Sequence, residues 1–498
     1  MKRAALAAQV LLGGCASVLL GACASFPPNP PLAQYVPKSG YGFELFAAAP
    51  EDRRDELMVV VSFSGGGTRA AALAYGVLEA LRDTTLQWQG GTVRLLDEVD
   101  VISSVSGGSF TAAYYALRGE AAFTEFPERF LYRDVQGALI GEMLSPASWP
   151  KLAGASYGRS DLAAEFYHRE LFGQATYAAL IAAKRRPFVI LNATDMSTGT
   201  PFAFIQDQFD LMCSDLAGVP LARAVAASSA FPGALTPLTF QNYAGRCGYV
   251  QPPWVRNAAN DHASRENPRR SARAENRLSL AATVADAQTG AAVPVRPYLH
   301  LTDGGVADNL GLREPINALT SNNHPWSLVR MMNNGPMKKL VIVAVNAATG
   351  ASLARDQSAE VPGLFDTVFT AADVPLSNYS FDTVELLGKA VDDQVRDARL
   401  VDTCNRRSAE KGAQCALNLP SARRIDFYPV QVAFEYIASP EERDWFRKLE
   451  TNFALKRGEV DRLTAMGRRL LLEDPHFQRL MKDLGGTISA PGIAPAPR

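Results

Sequence analysis

The sequence predicts an α/β protein whose central sheet is mainly parallel and carries helices on both faces. Three observations predict it. Short, wholly apolar, β-branched runs recur along the chain, helical stretches alternate with them, and several runs end abruptly in loops of glycine and serine. With 498 residues, 47% hydrophobic and 20% charged, the chain can bury a large core. The 50 basic and 51 acidic residues leave a formal charge of -1, so no global field draws the protein to nucleic acid, which is excluded as an expected partner.

Taken in order, the chain opens with Lys2 and Arg3, then an apolar run from Ala4 to Ala22 that closes on Leu20-Gly21-Ala22-Cys23, with Pro27, Pro28, Pro30 and Pro31 forbidding a continuing helix. This stretch resembles a bacterial lipoprotein signal peptide, 1–22. The resemblance implies cleavage before Cys23, a lipid on its thiol, and, with Ala24 following, an outer-membrane anchor in the cell envelope. A plain membrane span is the alternative, since about twenty apolar residues cross a bilayer. Residues 23–55, Pro-rich and then charged, are expected to be a linker.

Leu57 to Val61 forms the first strand and Ala70 to Leu81 the helix after it. Val99 to Ile102 repeats the pattern, passing through Ser103–Ser109 into an apolar helix. Further strands are expected at Phe188–Leu191, Tyr298–Leu301, Leu340–Val345 and Ile425–Val432. The main domain is thus 56–350. It is interrupted by residues 250–296, polar and aperiodic, expected to be a mobile insertion and, lying before Asp303, a lid that orders on lipid. A C-terminal extension, 351–484, packs on the core, with a capping box at Ser439-Pro440-Glu441-Glu442 and a helix over Val460–Leu472. The tail 485–498, rich in Pro, Gly and Ala, is expected to be disordered.

Beyond Cys15 and Cys23, the cysteines number four, an even count in a chain expected to enter an oxidising compartment. Local pairing, Cys213 with Cys247 and Cys404 with Cys415, is the simplest arrangement; four buried thiols are the alternative. No CxxC spacing or nearby histidine pair accompanies them, so no metal site is expected.

Three segments carry chemistry. Ser64-Gly65-Gly66-Gly67-Thr68-Arg69 lies between strand and helix, where unpaired N-terminal amides can hold negative charge. Gly65, Gly67 and Ala70 also satisfy a dinucleotide fingerprint, but the acidic residue that should end the second strand is missing. Ser104-Val105-Ser106-Gly107-Gly108 fits a nucleophile elbow, with Ser104 in place of the first glycine and Gly108 at the second. Asp303-Gly304-Gly305 directly follows the strand Tyr298–Leu301. Each segment ends an expected strand, so the three can converge at one sheet edge.

From about Leu57 to Val345 the chain resembles the bacterial patatin-like phospholipases. The resemblance rests on these three segments, on Asn192-Ala193-Thr194-Asp195 with Thr198-Gly199, and on Ala227-Ser228-Ser229-Ala230-Phe231-Pro232-Gly233. It implies a three-layer α/β/α fold and a hydrolase for the acyl esters of membrane lipids, acting without a cofactor through an acyl-enzyme. Ser106 would be the nucleophile, Asp303 the base and Gly65, Gly66 and Gly67 the oxyanion hole, with Arg69, Gly108, Gly304 and Gly305 in support. Partial burial is expected to make Asp303 more basic than an ordinary carboxylate near ~3.9. An acyltransferase with the same dyad, and an inactive lipid-binding envelope lipoprotein, are the alternatives. A histidine-dependent triad would call on His300 or His324.

Overall fold

The computed structural model describes residues 25–47, 56–260 except 89, 268–349 except 322, 329 and 332–336, scattered positions between 359 and 407, and 425–489. Among the described residues the strands are, in chain order, β1 (Leu57–Phe63), β2 (Thr84–Trp88), β3 (Gly91–Arg94), β4 (Val99–Val105), β5 (Phe188–Asp195), β6 (Thr200–Ala203), β7 (Leu238–Gln241), β8 (Thr283–Ala285), β9 (Ala292–Pro294), β10 (Tyr298–Asp303), β11 (Lys339–Asn346), β12 (Asp426–Ala433) and β13 (Thr487–Ile488). The helices that matter for the site are α1 (Gly67–Asp83), α2 (Gly107–Arg118), α3 (Val135–Leu144), α4 (Arg159–Glu170), α5 (Leu221–Ser228) and α6 (Arg457–Glu473).

The main sheet runs β12-β11-β1-β4-β5-β10-β7, with β6 also on β5. Its first five strands are mutually parallel. Every residue of β1, β4 and β5 is buried, which explains the unalternating apolar stretches Leu57–Val61 and Phe188–Leu191, while β4 and the end of β5 bury polar side chains as well. Helices cover both faces, giving three layers α/β/α around a single large core.

One strand departs from the expected parallel run at the point where the site lies. β10 is antiparallel to β5 and pairs with it only over Leu301↔Asp195, Thr302↔Thr194 and Asp303↔Ala193. It enters from the carboxyl side of the sheet and stops there. Its last residue therefore lands one position beyond the Val105↔Asn192 pair that ends β4, so Asp303 and Ser106 meet although their strands run in opposite directions.

Several segments differ from expectation. The expected linker is packed over residues 25–47: Asn29 is buried against Ser214 and Gln241, and Tyr41, Phe43 and Phe46 cluster on Phe188. The prolines set its path, while its aromatics supply the burial. The insertion 250–296 holds two helices, Pro253–Asn260 and Pro268–Ala281, and the β8–β9 hairpin rather than aperiodic chain. Its helices share a small apolar core of Val255, Ala258 and Ala274, which the surrounding arginines obscure in the sequence. The C-terminal part completes the fold instead of decorating it, since β12 is the outermost strand of the main sheet and α6 lies along α1. In the expected capping box only half forms: Ser439 Oγ accepts from the Glu442 amide, while the Glu442 carboxylate pairs with Arg469 at 2.7 Å. Thr487 and Ile488, expected in a disordered tail, pair with β2.

Cys213 and Cys247 form a disulfide. The second expected pair reaches Cys415, and the expected lipidation site is Cys23; both lie outside the described residues. Among the described residues no helix is long and apolar enough to cross a membrane.

Candidate active site

Ser106 is the single residue between the end of β4 and the start of α2. The turn is so sharp that Ser106 adopts φ 49° and ψ -118°, a region that side chains other than glycine rarely enter. Its neighbours explain how the turn fits. A Cβ on Gly107 would lie 2.1 Å from the Gly67 carbonyl, and one on Gly108 would lie 2.6 Å from Phe63 Cβ. Both positions need glycine because α2 begins against the loop that follows β1. Gly108 was expected from the elbow pattern; Gly107 was not.

The Ser106 hydroxyl donates to Asp303 Oδ2 at 2.8 Å. The other carboxylate oxygen, Oδ1, accepts from the Gly305 amide at 2.8 Å. Asp303 is only 4% exposed, and burial pushes its carboxyl up to about 7, against smaller opposing effects from the Gly305 amide and the Ser106 hydroxyl. No charged partner among the described residues contributes to that balance. The backbone is held as firmly: Thr194 Oγ1 donates to the Asp303 carbonyl at 2.8 Å, the Asp303 amide donates to Ala230 O, and the Gly304 amide to Ser228 O. A Cβ on Gly304 would stand 2.2 Å from the Asn192 carbonyl.

Ser104 is accommodated. Its Oγ, fully buried, donates to the Ile190 carbonyl at 3.3 Å and accepts from Ser109 Oγ at 3.1 Å. Ser109 Oγ in turn lies 2.9 Å from Ser228 Oγ, which accepts the Ser106 amide at 2.9 Å and donates to Asn192 O at 2.6 Å. A chain of hydroxyls thus fills the space beneath the elbow and ends on the backbone of the strained residue itself.

The glycine loop corrects one expectation. The Gly65 amide already donates to the Asn309 carbonyl at 3.0 Å, so Gly65 supplies clearance rather than a hydrogen bond to a ligand. A Cβ there would meet Asn309 Oδ1 at 2.5 Å and Ser106 Cβ at 3.2 Å. The Thr68 amide is likewise taken, by Asn452 O at 2.8 Å. The amides of Gly66, Gly67 and Gly107 have no partner among the described residues, and they stand where two helices begin. The Arg69 guanidinium is buried on Ala347 O, Leu449 O and Thr451 Oγ1 at 2.8, 2.6 and 2.9 Å, tying the loop to the C-terminal segment.

No described histidine joins the pair. His300 Nδ1 contacts Thr239 Oγ1 at 3.1 Å, and His324, buried, pairs with Glu314 at 3.0 Å. Among the residues missed from the sequence, Thr194 and Ser228 lay inside stretches already noted as family-like, whereas Asn309 and Asn452 carry no local signature.

A family model described as patatin-like phospholipase matches residues 61–316, which span the glycine loop, Ser106 and Asp303. The chain belongs to the patatin-like phospholipase family. A search of curated proteins finds no match. Among solved structures, this patatin-like chain is similar to human GIVD cytosolic phospholipase A2, at 14% identity and a TM-score of 0.38, over 89% of this chain and 62% of that one. The same human enzyme in complex with methyl gamma-linolenyl fluorophosphonate matches at 10% identity and a TM-score of 0.36, over 89% and 61%. VipD from Legionella pneumophila matches at 10% identity and a TM-score of 0.21, over 90% and 72%. The chain thus spans less than two thirds of the human enzyme.

Proposed function

We propose that this protein hydrolyses acyl esters of phospholipid or lysophospholipid type with Ser106 as nucleophile and Asp303 as its base. The observation that carries the reading is the 2.8 Å hydrogen bond from Ser106 Oγ to a buried carboxylate with no cation beside it among the described residues, next to amides that have no partner among those residues and can donate to a developing negative charge. Asp303 takes the hydroxyl proton as Ser106 Oγ attacks the ester carbonyl. The carbonyl oxygen, gaining charge, is held by the amides of Gly66 and Gly67, with Gly107 as a third donor. Collapse of the tetrahedral intermediate breaks the bond to the leaving alkoxide, which recovers the proton from Asp303 and departs as an alcohol. Water then repeats the sequence on the acyl-enzyme, giving free fatty acid and restoring Ser106. A base near 7 suits this role better than an ordinary carboxylate, because it can hold the proton between steps near neutral pH.

A fluorophosphonate probe tests the reading: it should label the wild-type protein and leave Ser106→Ala unlabelled. Equal labelling of both would remove Ser106 from the mechanism. We also propose that the protein is anchored in the cell envelope through lipid on Cys23. Cys23→Ala should then leave the membrane fraction in alkaline carbonate, and retention there would argue for a membrane span.

A further inference from the structure

We infer that residues 134–158 form a docking surface for a phospholipid bilayer, laid across the mouth of the site. The inference rests on the reading that the substrate is a lipid ester, and it adds where the lipid surface meets the protein.

Both ends of this segment are fixed beside the catalytic pair. At one end the amides of Val135 and Gln136 donate to the Phe453 carbonyl, and the preceding Asn452 carbonyl caps Thr68 of the glycine loop. At the other, Gly158 lies against Thr236, and Arg159 reaches the Gly233 carbonyl at 3.4 Å. Those two residues belong to the loop that leaves Ala230, whose carbonyl holds the Asp303 amide. The segment therefore connects the oxyanion side of the site to the aspartate side.

Between its ends the segment exposes large apolar side chains: Ile140 is 47%, Trp149 59% and Leu144 69% accessible. Its charged residues are only Asp134, Glu142 and Lys151, and each has a partner. Asp134 caps the Gly137 amide, Glu142 pairs with Arg169 at 2.5 Å and Lys151 with Glu165 at 2.7 Å. Glu142 and Lys151 are satisfied by the body of the protein and Asp134 by the helix it caps, leaving an apolar outer strip. The exposed Arg159 beside it has no carboxylate partner among the described residues. An apolar strip with a tryptophan and an adjoining arginine without a carboxylate partner among the described residues matches the layering of a phospholipid surface, acyl chains below and phosphates above.

The test compares the full-length parent with Ile140→Ser/Leu144→Ser/Trp149→Ser, whose N-terminal residues are identical, so any anchor there acts equally. Turnover of soluble p-nitrophenyl butyrate should match the parent. Hydrolysis of vesicles of phosphatidylcholine with phosphatidylglycerol should fall at least about tenfold, the order expected from withdrawing one large apolar side chain from burial. Vesicle hydrolysis at the parent rate, or equal losses on both substrates, overturns the proposal. A second measurement holds even if the protein hydrolyses nothing: in Ser106→Ala, doxyl-labelled vesicles should quench fluorescence that is absent from Ser106→Ala/Trp149→Phe. No such quenching overturns the proposal, and self-association lost in the triple variant without quenching assigns the strip to a second copy of the chain.

Discussion

As the proposed base, Asp303 would couple activity and stability to pH in opposite directions. Its carboxyl titrates near ~3.9 in an unfolded chain and at about 7 in the fold, where burial disfavours the charge. Between these values the folded protein keeps a proton that the unfolded chain has lost. Stability contributed by this group is therefore complete below the lower value and declines as pH rises through the upper one. The proposed mechanism uses the deprotonated form, so on that reading kcat/KM should climb through about 7 as that stability is lost. Asp303→Asn should lower turnover by roughly 10² to 10⁴-fold while its melting temperature gains on the wild type from pH 5 to pH 8. A variant that melts below the wild type by a constant margin across that range would contradict the burial argument. The residues behind this behaviour were partly legible. Ser106 and Asp303 stand in motifs whose chemistry depends on local spacing, but the absence of any cation near Asp303 among the described residues and the capture of the Gly65 amide by Asn309 are set by chain segments far away in sequence.

At the scale of elements, α1 and α6 show how tightly the fold around the glycine loop is built. The two helices approach so closely that a Cβ on Gly76 would meet the Thr464 carbonyl at 2.0 Å, and one on Gly467 would meet the Leu73 carbonyl at 2.3 Å. Gly467→Ala should destabilise the protein by about 1 to 3 kcal/mol, seen as a lower denaturation midpoint, although Ser106 and Asp303 are untouched. An unchanged midpoint would mean that the helices part easily. The strands of the parallel core were readable because most are buried on both faces and carry apolar, β-branched stretches. β7 and the β2–β3 hairpin were not, being short and half-polar, and neither was the direction of β10: a six-residue strand looks the same whichever way its neighbours run. The insertion failed for a related reason, since its apolar residues are few and divided between a small core of their own and Leu280, which joins the main core.

For the whole molecule, the packed N-terminal segment and the Cys213–Cys247 bridge act together. Leu32 donates to the Cys213 carbonyl and Tyr35 to that of Cys247, so the segment is fastened on both sides of the bond. The bridge spans 34 residues, and a loop of that size is worth roughly 3 to 4 kcal/mol on the chain-entropy account. Thermal unfolding should shift down under reducing conditions and in Cys213→Ala/Cys247→Ala, and an equal melting temperature with and without reductant would show that the bond does not bear on stability. Composition hid this arrangement, because prolines and charges look like a tether wherever their aromatic neighbours go unnoticed. The clamp on the glycine loop has a temporal meaning as well. Arg69 is held by Leu449 and Thr451, 380 and 382 residues further along the chain. A ribosome delivers Ser106 and Asp303 long before it delivers those partners, so during synthesis the glycine loop beside them stays unclamped until the last quarter of the chain has emerged, and on the proposed mechanism hydrolysis would begin only then.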